Sequence, residues 1–399
     1  MNFHLSAEQE ALVSQARAFA EEKLAPVAAH WDIKEHVPRE HVQMLADRGY
    51  FGMTFPPEFG GKGASALDAI LVIEQIAHHC AISARLIVDH NFGAVGTILN
   101  FGTDEQRARV LPAIARGEKL ISIGMTEPAT GSALSDLTTS AEEAGEWVIL
   151  NGRKRWITGA GEREYTLVYA RFGDVPGPAG IGALLVEQGT EGFRSGSRIP
   201  TLGVRGVREG ELIFDRARVP RSNLVVPPGS GFGKLMSAYN GQRVGASAVA
   251  LGIAQGALDY AVAYADQRQQ FGRRVTDFQA IQFKVADLTL ELEAARLLVY
   301  RAAANAVNTI TGRFETSLAK AFSSEMAIHV TSGAMQLMGG NGYSREHPVE
   351  RMFRDARMFT FGGGSTEMQR LGIASRVLGR PLPQHPEKKK SRAKENSRR

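Results

Sequence analysis

The spacing of apolar residues changes twice along the chain, and this restricts the possible folds more than any other feature of the sequence. From Ser6 to about Arg116, apolar residues recur roughly every three or four positions, as in amphipathic helices. From about Glu118 to Pro228, short β-rich runs separated by Gly and Pro predict an antiparallel sheet. From Gly233 to Leu378 the helical spacing returns. The sequence therefore predicts an α+β protein in which a sheet unit lies between two helical units.

Local signals place the boundaries of these units. Ser6-Ala7-Glu8-Gln9 and Thr103-Asp104-Glu105-Gln106 have the residue types that cap helix N-termini. An Ala-rich segment that begins at Val244 carries small residues on several faces, which suits a helix packed on all sides in a bundle or an oligomer core. We expect an N-terminal helical domain (1–117), a β-sheet domain (118–228), a C-terminal four-helix bundle (229–380) and a disordered basic tail (381–399).

Charge and cysteine content exclude several classes of protein. The formal net charge is +5, and the segment Glu387–Arg399 alone carries seven Lys or Arg and two Glu, so the body of the protein is about neutral. That segment has no aromatic residue to stack on bases, so we expect no nucleic-acid partner. Cys80 is the only cysteine, which excludes an intrachain disulfide. The sequence shows neither a signal peptide nor an apolar run of about 20 residues, and we expect a cytoplasmic protein that does not enter membranes.

Five stretches carry a resemblance to a known family. They read GMTEPATGS, RWITG, QRQQFGRRVTDFQAIQ, QLMGGNGYSREHPVERMFRDAR and STEMQR, and they occur in this order. In order and spacing they resemble the acyl-CoA dehydrogenase family, and the resemblance extends from Ser6 to about Gly379. It implies a helical domain, a β domain and a helical bundle, with FAD as cofactor, acyl-CoA as ligand and a homotetramer as the assembly.

The resemblance also implies which residues contact the cofactor. A Trp supplies an aromatic wall for a flavin ring, a Thr hydroxyl bonds a ring heteroatom, and the planar fork of Arg suits a diphosphate. The predicted FAD contacts, of which Gln336 and Gly340 would come from a neighbouring subunit, are Met125, Thr126, Ser132, Trp156, Thr158, Arg268, Phe271, Gln279, Gln336, Gly340, Ser365 and Glu367.

Other positions match residues that face the acyl-CoA in the family. Ser132 and Arg243 match positions beside the CoA moiety, and Tyr239 stands one helical turn before Arg243. The family usually has Asp after this Ser, whereas this chain has Ala133, which weakens the assignment of Ser132.

The base expected of a dehydrogenase is absent from both of its known positions. In the family, a Glu removes the α-proton of the thioester. Its usual position falls on Gly363, within the run GGGSTEMQR, and the alternative Glu-Arg pair on the long helix reads Gln242-Arg243. Gln has no carboxylate that could accept a proton. The sequence therefore argues against ordinary α,β-dehydrogenation.

Three explanations remain open. The base has moved to Asp89, which also stands one helical turn from Arg85 and could simply pair with it. Alternatively, the protein binds acyl-CoA without catalysis. The third explanation, which the sequence favours, is different chemistry: the segment Gln242–Ala261 resembles the 3-sulfinopropionyl-CoA desulfinase branch of the family, which has Gln in place of the base.

That branch also carries an Arg on an early pocket helix, which we match to Arg85. The resemblance implies release of sulfite from 3-sulfinopropionyl-CoA, with Arg85 and Gln242 as catalytic residues. A permanently anionic sulfinate is costly to bury unpaired, and Arg85 could pair with it. No metal site is expected, because His78 and His79 lack further ligands nearby and better suit packing.

Overall fold

The N-terminal unit is helical, and two of its helices begin at the capping residues that the sequence predicts. The structure, a computed structural model, describes residues 4–229 and 231–384. Ser6 with Gln9, and Thr103 with Gln106, form reciprocal capping boxes, which confirms both predicted starts. The helices are α1 (Ala7–Phe19), α2 (Ala25–Lys34), α3 (Arg39–Asp47), α4 (Ala66–Ala77), α5 (Ala81–Asp89), α6 (Ala94–Phe101) and α7 (Asp104–Ala115), with a π-helical turn at Ala20–Leu24 between the first two.

The middle unit is a mixed sheet. Its strands are β1 (Ile121–Gly124), β2 (Ser140–Ala144), β3 (Trp147–Thr158), β4 (Tyr165–Phe172), β5 (Ile181–Glu187), β6 (Phe193–Ile199), β7 (Glu209–Pro220) and β8 (Leu224–Val226). They run in the order β6-β7-β3-β2-β4-β5-β8, and β1 pairs with β4. Most pairs are antiparallel, but β1 and β2 both run parallel to β4. The predicted antiparallel sheet is therefore confirmed for most pairs, and these two pairs are parallel.

Helices return after the sheet. They are α8 (Gly231–Gln267), α9 (Gln279–Ala304), α10 (Arg313–Met338), α11 (Val349–Arg357) and α12 (Thr366–Val377), and a two-stranded ribbon, β9 (Gln269–Gln270) and β10 (Arg273–Arg274), joins α8 to α9. The bundle is built from α8, α9, α10 and α12, with α10 packed against the other three. Of the predicted tail, residues 385–399 lie outside the described residues.

The small residues of α8 let other helices approach it on several sides, as predicted. It packs against α9, α10 and α11 of its own unit and against α4, α5 and α6 of the N-terminal unit. A Cβ at Gly252 or Gly256 would lie 2.2 or 2.1 Å from backbone oxygens at the C-terminal end of α4. Among the described helices, α8 alone has the length and apolar composition to cross a membrane, but 72% of its most apolar window is buried inside the fold. Its composition therefore fits a core helix.

Candidate active site

A buried ionic cluster forms where α5 meets the sheet and α8. On α5, Arg85 Nε lies 3.4 Å from Asp89 Oδ1, one helical turn away, as the sequence allowed. A second guanidinium, from the loop after β3, donates from Arg163 Nη2 to Asp89 Oδ2 at 2.8 Å. The side chains of Arg85, Asp89 and Arg163 are 15%, 8% and 3% exposed. Burial would raise the pKa of Asp89, but Arg85 and Arg163 hold it below its usual range. Asp89 is thus an anion with two cationic partners, which makes it a weak base.

Arg85 also reaches the sheet. Its Nη2 donates to Thr158 Oγ1 at 3.0 Å, and Thr158 Oγ1 donates to Glu209 Oε1 at 2.7 Å. Thr158 and Glu209 face each other because they are paired residues of β3 and β7. Arg85 Nε is buried and makes no hydrogen bond. A guanidinium has five N–H groups, so Arg85 retains donors for a ligand.

Gln242 enters the same cluster from α8. Its Nε2 donates to Asp89 Oδ1 at 2.7 Å, whereas its buried Oε1 has no hydrogen-bond partner. Gly93 makes room for this oxygen, because a Cβ there would lie 2.6 Å from it, and the φ of +65° also favours glycine. Of the Gln242 amide group, Oε1 is therefore the part left open for a ligand.

The other empty base position lies near a buried lysine. Gly363 has φ +79°, and a Cβ there would meet only Lys320 Cε at 3.6 Å and Arg243 Cγ at 3.9 Å. Arg243 Nε donates to the Gly363 carbonyl at 2.9 Å, and the Arg243 guanidinium lies 5.1 Å from the centre of the Tyr239 ring. Burial, together with the positive charges of Arg243 and Arg85, lowers the pKa of Lys320 to about 7. Lys320 Nζ donates to Ser324 Oγ and to the Phe359 carbonyl.

A buried ion pair holds together the two segments predicted to contact the flavin ring. Lys154 of β3 donates from Nζ to Glu127 Oε1 at 2.8 Å and to the Met125 carbonyl at 3.2 Å. Glu127 also accepts from the backbone N–H groups of Thr138 and Thr139. Arg155 N donates to the Thr126 carbonyl. Met125 and Thr126 are thereby fixed beside the strand that ends in Trp156 and Thr158.

The backbone at two predicted flavin contacts is unusual in a way that fits a bound aromatic cofactor. Trp156 and Phe271 have φ values of +60° and +52°, which are unfavourable for bulky residues. Their side chains are 52% and 94% exposed. Strained, exposed aromatic residues of this kind are typical of ligand sites. These residues therefore fit a flavin.

The remaining predicted site residues lie in loops and near helix ends. Ser365 is the N-cap of α12, where its hydroxyl accepts from Met368 N, and Glu367 lies in the first turn of that helix. Ser132 is exposed in the loop before Leu134–Asp136. The others, all exposed, are Arg268 in the turn after α8, Gln279 at the start of α9, Gln336 near the end of α10 and Gly340 just after it.

The adjacent histidines take part in packing. His78 Nε2 lies 2.8 Å from Asp259 Oδ2, and His78 Nδ1 lies 3.2 Å from His79 Nε2. Within residues 4–229 and 231–384, no group of three or more His, Cys, Asp or Glu side chains could hold a metal ion.

The structure brings together Arg85, Asp89, Thr158 and Gln242, which the sequence singled out for different reasons. It also adds Arg163 and Glu209, which the sequence analysis missed. Arg163 lies 74 positions from its partner Asp89, and Glu209 lies 51 positions from Thr158. Neither belongs to one of the five motifs, so no sequence signal marks them.

The chain matches one family along nearly its whole length. The models described as acyl-CoA dehydrogenase N-terminal, middle and C-terminal domains match residues 6–118, 122–217 and 229–378. The chain therefore belongs to the acyl-CoA dehydrogenase family.

Individual relatives narrow the comparison. The chain is 44% identical over 385 residues to a 3-sulfinopropanoyl-CoA desulfinase of Paraburkholderia xenovorans (96% of this chain, 99% of the relative). It is 44% identical over 388 residues to a protein of the same name from Cupriavidus necator (96% and 98%). Among solved structures, butyryl-CoA dehydrogenase from Megasphaera elsdenii is similar with a TM-score of 0.91 and 35% identity (95% of this chain, 100% of that chain). A glutaryl-CoA dehydrogenase from Mycobacterium smegmatis in complex with FADH2 has a TM-score of 0.89 at 26% identity (95% and 96%).

Proposed function

We propose that this protein is a 3-sulfinopropanoyl-CoA desulfinase, which cleaves the C–S bond hydrolytically to give propionyl-CoA and sulfite. The observation that carries the proposal is the ionic cluster around Arg85, combined with the missing carboxylate at positions 242 and 363. Arg85 and Arg163 contribute two positive charges and Asp89 one negative charge, so these three groups sum to +1. When Glu209 of the same cluster is in its uncharged acid form, this excess favours an anionic acyl end. The relatives named as desulfinases support the same choice of substrate.

Each residue of the cluster has a distinct part in this function. Arg85 pairs with the sulfinate through its unused N–H groups, since charge-assisted hydrogen bonds offset the cost of burying an anion. Asp89 fixes Arg85 and Gln242, and Arg163 neutralises Asp89 so that its charge does not repel the substrate. Because Gln242 and Gly363 carry no carboxylate, neither can abstract the α-proton of the thioester.

The flavin is proposed to be FAD. The residues that would hold its ring are Met125, Thr126, Trp156 and Thr158, and those toward its diphosphate and adenine are Arg268, Phe271, Gln279, Gln336, Gly340, Ser365 and Glu367. When bound, a flavin can supply hydride chemistry in this family, but the net desulfination is redox-neutral. Ser132, Tyr239 and Arg243 are proposed to face the acyl-CoA.

A homotetramer is proposed for the assembly. One face of α9 presents three exposed apolar side chains seven residues apart, Phe283, Leu290 and Leu297, which are 62%, 69% and 53% exposed. A stripe with this spacing on a long helix is suited to packing against another helix. This stripe supports self-association, as does the family resemblance.

The proposed function is tested by giving the purified yellow protein 3-sulfinopropanoyl-CoA and measuring sulfite while the flavin spectrum is recorded. We expect sulfite and propionyl-CoA in equal amounts, with the flavin remaining oxidised. Absence of sulfite would overturn the proposal. Bleaching by a saturated acyl-CoA under anaerobic conditions would indicate a dehydrogenase with a relocated base instead.

Replacing Gln242 by Glu should weaken the reaction through charge repulsion. The new carboxylate would occupy the place of the amide that now donates to Asp89 at 2.7 Å, so two carboxylates would face each other beside the bound anion. We expect kcat/KM to fall roughly tenfold at pH 8, with part of the loss recovered at lower pH as the pair takes up a proton. The pH profile of sulfite release checks this. A variant as active as the wild type at pH 8 would contradict it.

A further inference from the structure

Glu209 is a half-buried residue whose carboxyl group has no use in the roles above. It is the first residue of β7, and its Oε1 accepts the Thr158 hydroxyl at 2.7 Å. Thr158 in turn accepts from Arg85, so two hydrogen bonds separate Glu209 from the guanidinium proposed to hold the sulfinate. In the described chain no group bonds to the second oxygen, Oε2. Glu209 therefore presents one free oxygen beside the acyl end of the site.

Desulfination needs a proton donor at that end. When a C–S bond breaks heterolytically with loss of SO2, the bonding electrons remain on carbon, and the carbon must then take up a proton. The other groups of the cluster are poor donors. Arg85 and Arg163 are guanidiniums, which do not release protons in proteins, and Gln242 carries no acidic proton. Asp89 is held ionised by its two cationic partners.

A lysine near the site is also poorly placed to donate. Lys320 directs its ammonium to the Ser324 hydroxyl and the Phe359 carbonyl, on the α10 side of Gly363. Two of its three N–H donors are therefore engaged within the bundle. Glu209 differs in two ways. Its Oε2 makes no hydrogen bond in the described chain, and Thr158 bridges its other oxygen to Arg85.

We propose that Glu209, in its acid form, donates the proton that replaces the sulfinate group on C3 of the acyl chain. This inference rests on the proposed function. The C–S bond breaks, its electron pair forms the new C–H bond with the Glu209 proton, and SO2 leaves. Water adds to SO2 to give bisulfite and a proton, and that proton restores the acid form of Glu209. The sum is sulfinate plus water giving propionyl-CoA and bisulfite, with no net oxidation.

The surroundings of Glu209 stabilise its acid form relative to that of an exposed Glu side chain. Burial raises the pKa of Glu209, and Asp89 acts in the same direction, whereas Arg85, Arg163 and the bond from Thr158 oppose the rise. These charged groups come from α5 and from the loop after β3; the neighbours across β3 and β6, Thr158 and Ile199, are uncharged. Because the acid form is the active one, the rate should be high below this raised pKa and should fall as pH rises through it.

The test compares wild type with Glu209→Gln, which keeps an acceptor for Thr158 but has no proton to donate. We expect kcat for sulfite release to fall about 100-fold, within the range for loss of a general acid, with KM changed less than threefold. The alkaline decline of kcat seen in wild type should be absent. Glu209→Asp should restore part of the rate and the decline. The control is Glu143→Gln, because Glu143 pairs with Arg221 on an exposed strand, and its rate should match wild type.

The outcomes separate the two proposals. A wild type that releases sulfite, alongside a flavin-loaded Glu209→Gln protein with a near-normal rate and the same pH profile, would overturn the role of Glu209 and leave the desulfinase function intact. A wild type that releases no sulfite would overturn both. If Glu209→Gln does not retain flavin, the wild-type profile decides, since a kcat that does not decline on the alkaline side is incompatible with an acid of this kind.

Discussion

Replacing Arg85 by Gln is expected to lower kcat/KM for 3-sulfinopropanoyl-CoA by roughly 10³-fold. Without Arg85, Arg163 and Asp89 cancel, and the sulfinate would enter a buried site with no cationic partner. Removing one member of a buried charge pair costs about 3–5 kcal/mol, which corresponds to this loss. The protein should still fold, because Asp89 keeps its 2.8 Å bond to Arg163. Steady-state sulfite release measures the effect.

Two further variants make this result specific. Arg85→Lys keeps the charge but loses the forked geometry, so we expect an intermediate cost of about 2 kcal/mol. Arg109→Gln is the control, because Arg109 of α7 is 43% exposed and pairs with Glu187 at the end of β5, and its loss should not alter the rate. Undiminished turnover by Arg85→Gln or Arg85→Lys would remove Arg85 from the reaction.

Replacing Lys154 by Met is expected to destabilise the protein by about 3–5 kcal/mol and to reduce its flavin content. Lys154 is fully buried and Glu127 is 3% exposed, so the substitution leaves a carboxylate without its counter-ion. Burial alone would raise the pKa of Glu127, but Lys154 and bonds from Thr139 and Thr138 bring it to about 2. Glu127 therefore stays charged near neutral pH while the pair is intact. The urea midpoint and the flavin absorbance per protein are the measurements.

A double variant tests whether the loss of stability comes from the unpaired charge of Glu127. Combining Lys154→Met with Glu127→Gln removes the uncompensated charge, so the double variant should recover part of the lost stability. Lys23→Met serves as the control, because Lys23 and its partner Glu22 are 51% and 70% exposed and such pairs contribute about 0–1 kcal/mol. A Lys154→Met protein whose free energy of unfolding lies within about 1 kcal/mol of wild type would show that the pair is not needed for stability.

The sequence predicts elements well where the local pattern is complete. The run YTLVYARF coincides with β4, Tyr165–Phe172, because β-branched and aromatic residues dominate it and turns bound it. The short strands β1 and β2 were not identified, since ISIG and SAEEA have too few residues to show alternation. Their parallel pairing with β4 is a long-range property that no local pattern encodes.

The candidate site follows the same division. Arg85 and Asp89 could be paired from their spacing on one helix, and Gln242 was found because a carboxylate was expected in its place. The bond from Gln242 to Asp89 spans 153 positions, so the use of its amide nitrogen could not be foreseen. Its N–H side is committed to Asp89, so only its oxygen is left for a ligand. Arg163 and Glu209 depend wholly on the tertiary fold.

The left-handed backbone at Gly363 has an evolutionary consequence. A Gly363→Glu mutation would place a side chain at φ +79°, with a strain of roughly 1–3 kcal/mol, although the neighbouring atoms leave enough space for a Cβ. Regaining a base at this position would therefore carry a backbone strain of roughly 1–3 kcal/mol that losing it does not. Losing a base at position 363 is therefore easier, in backbone strain, than regaining one.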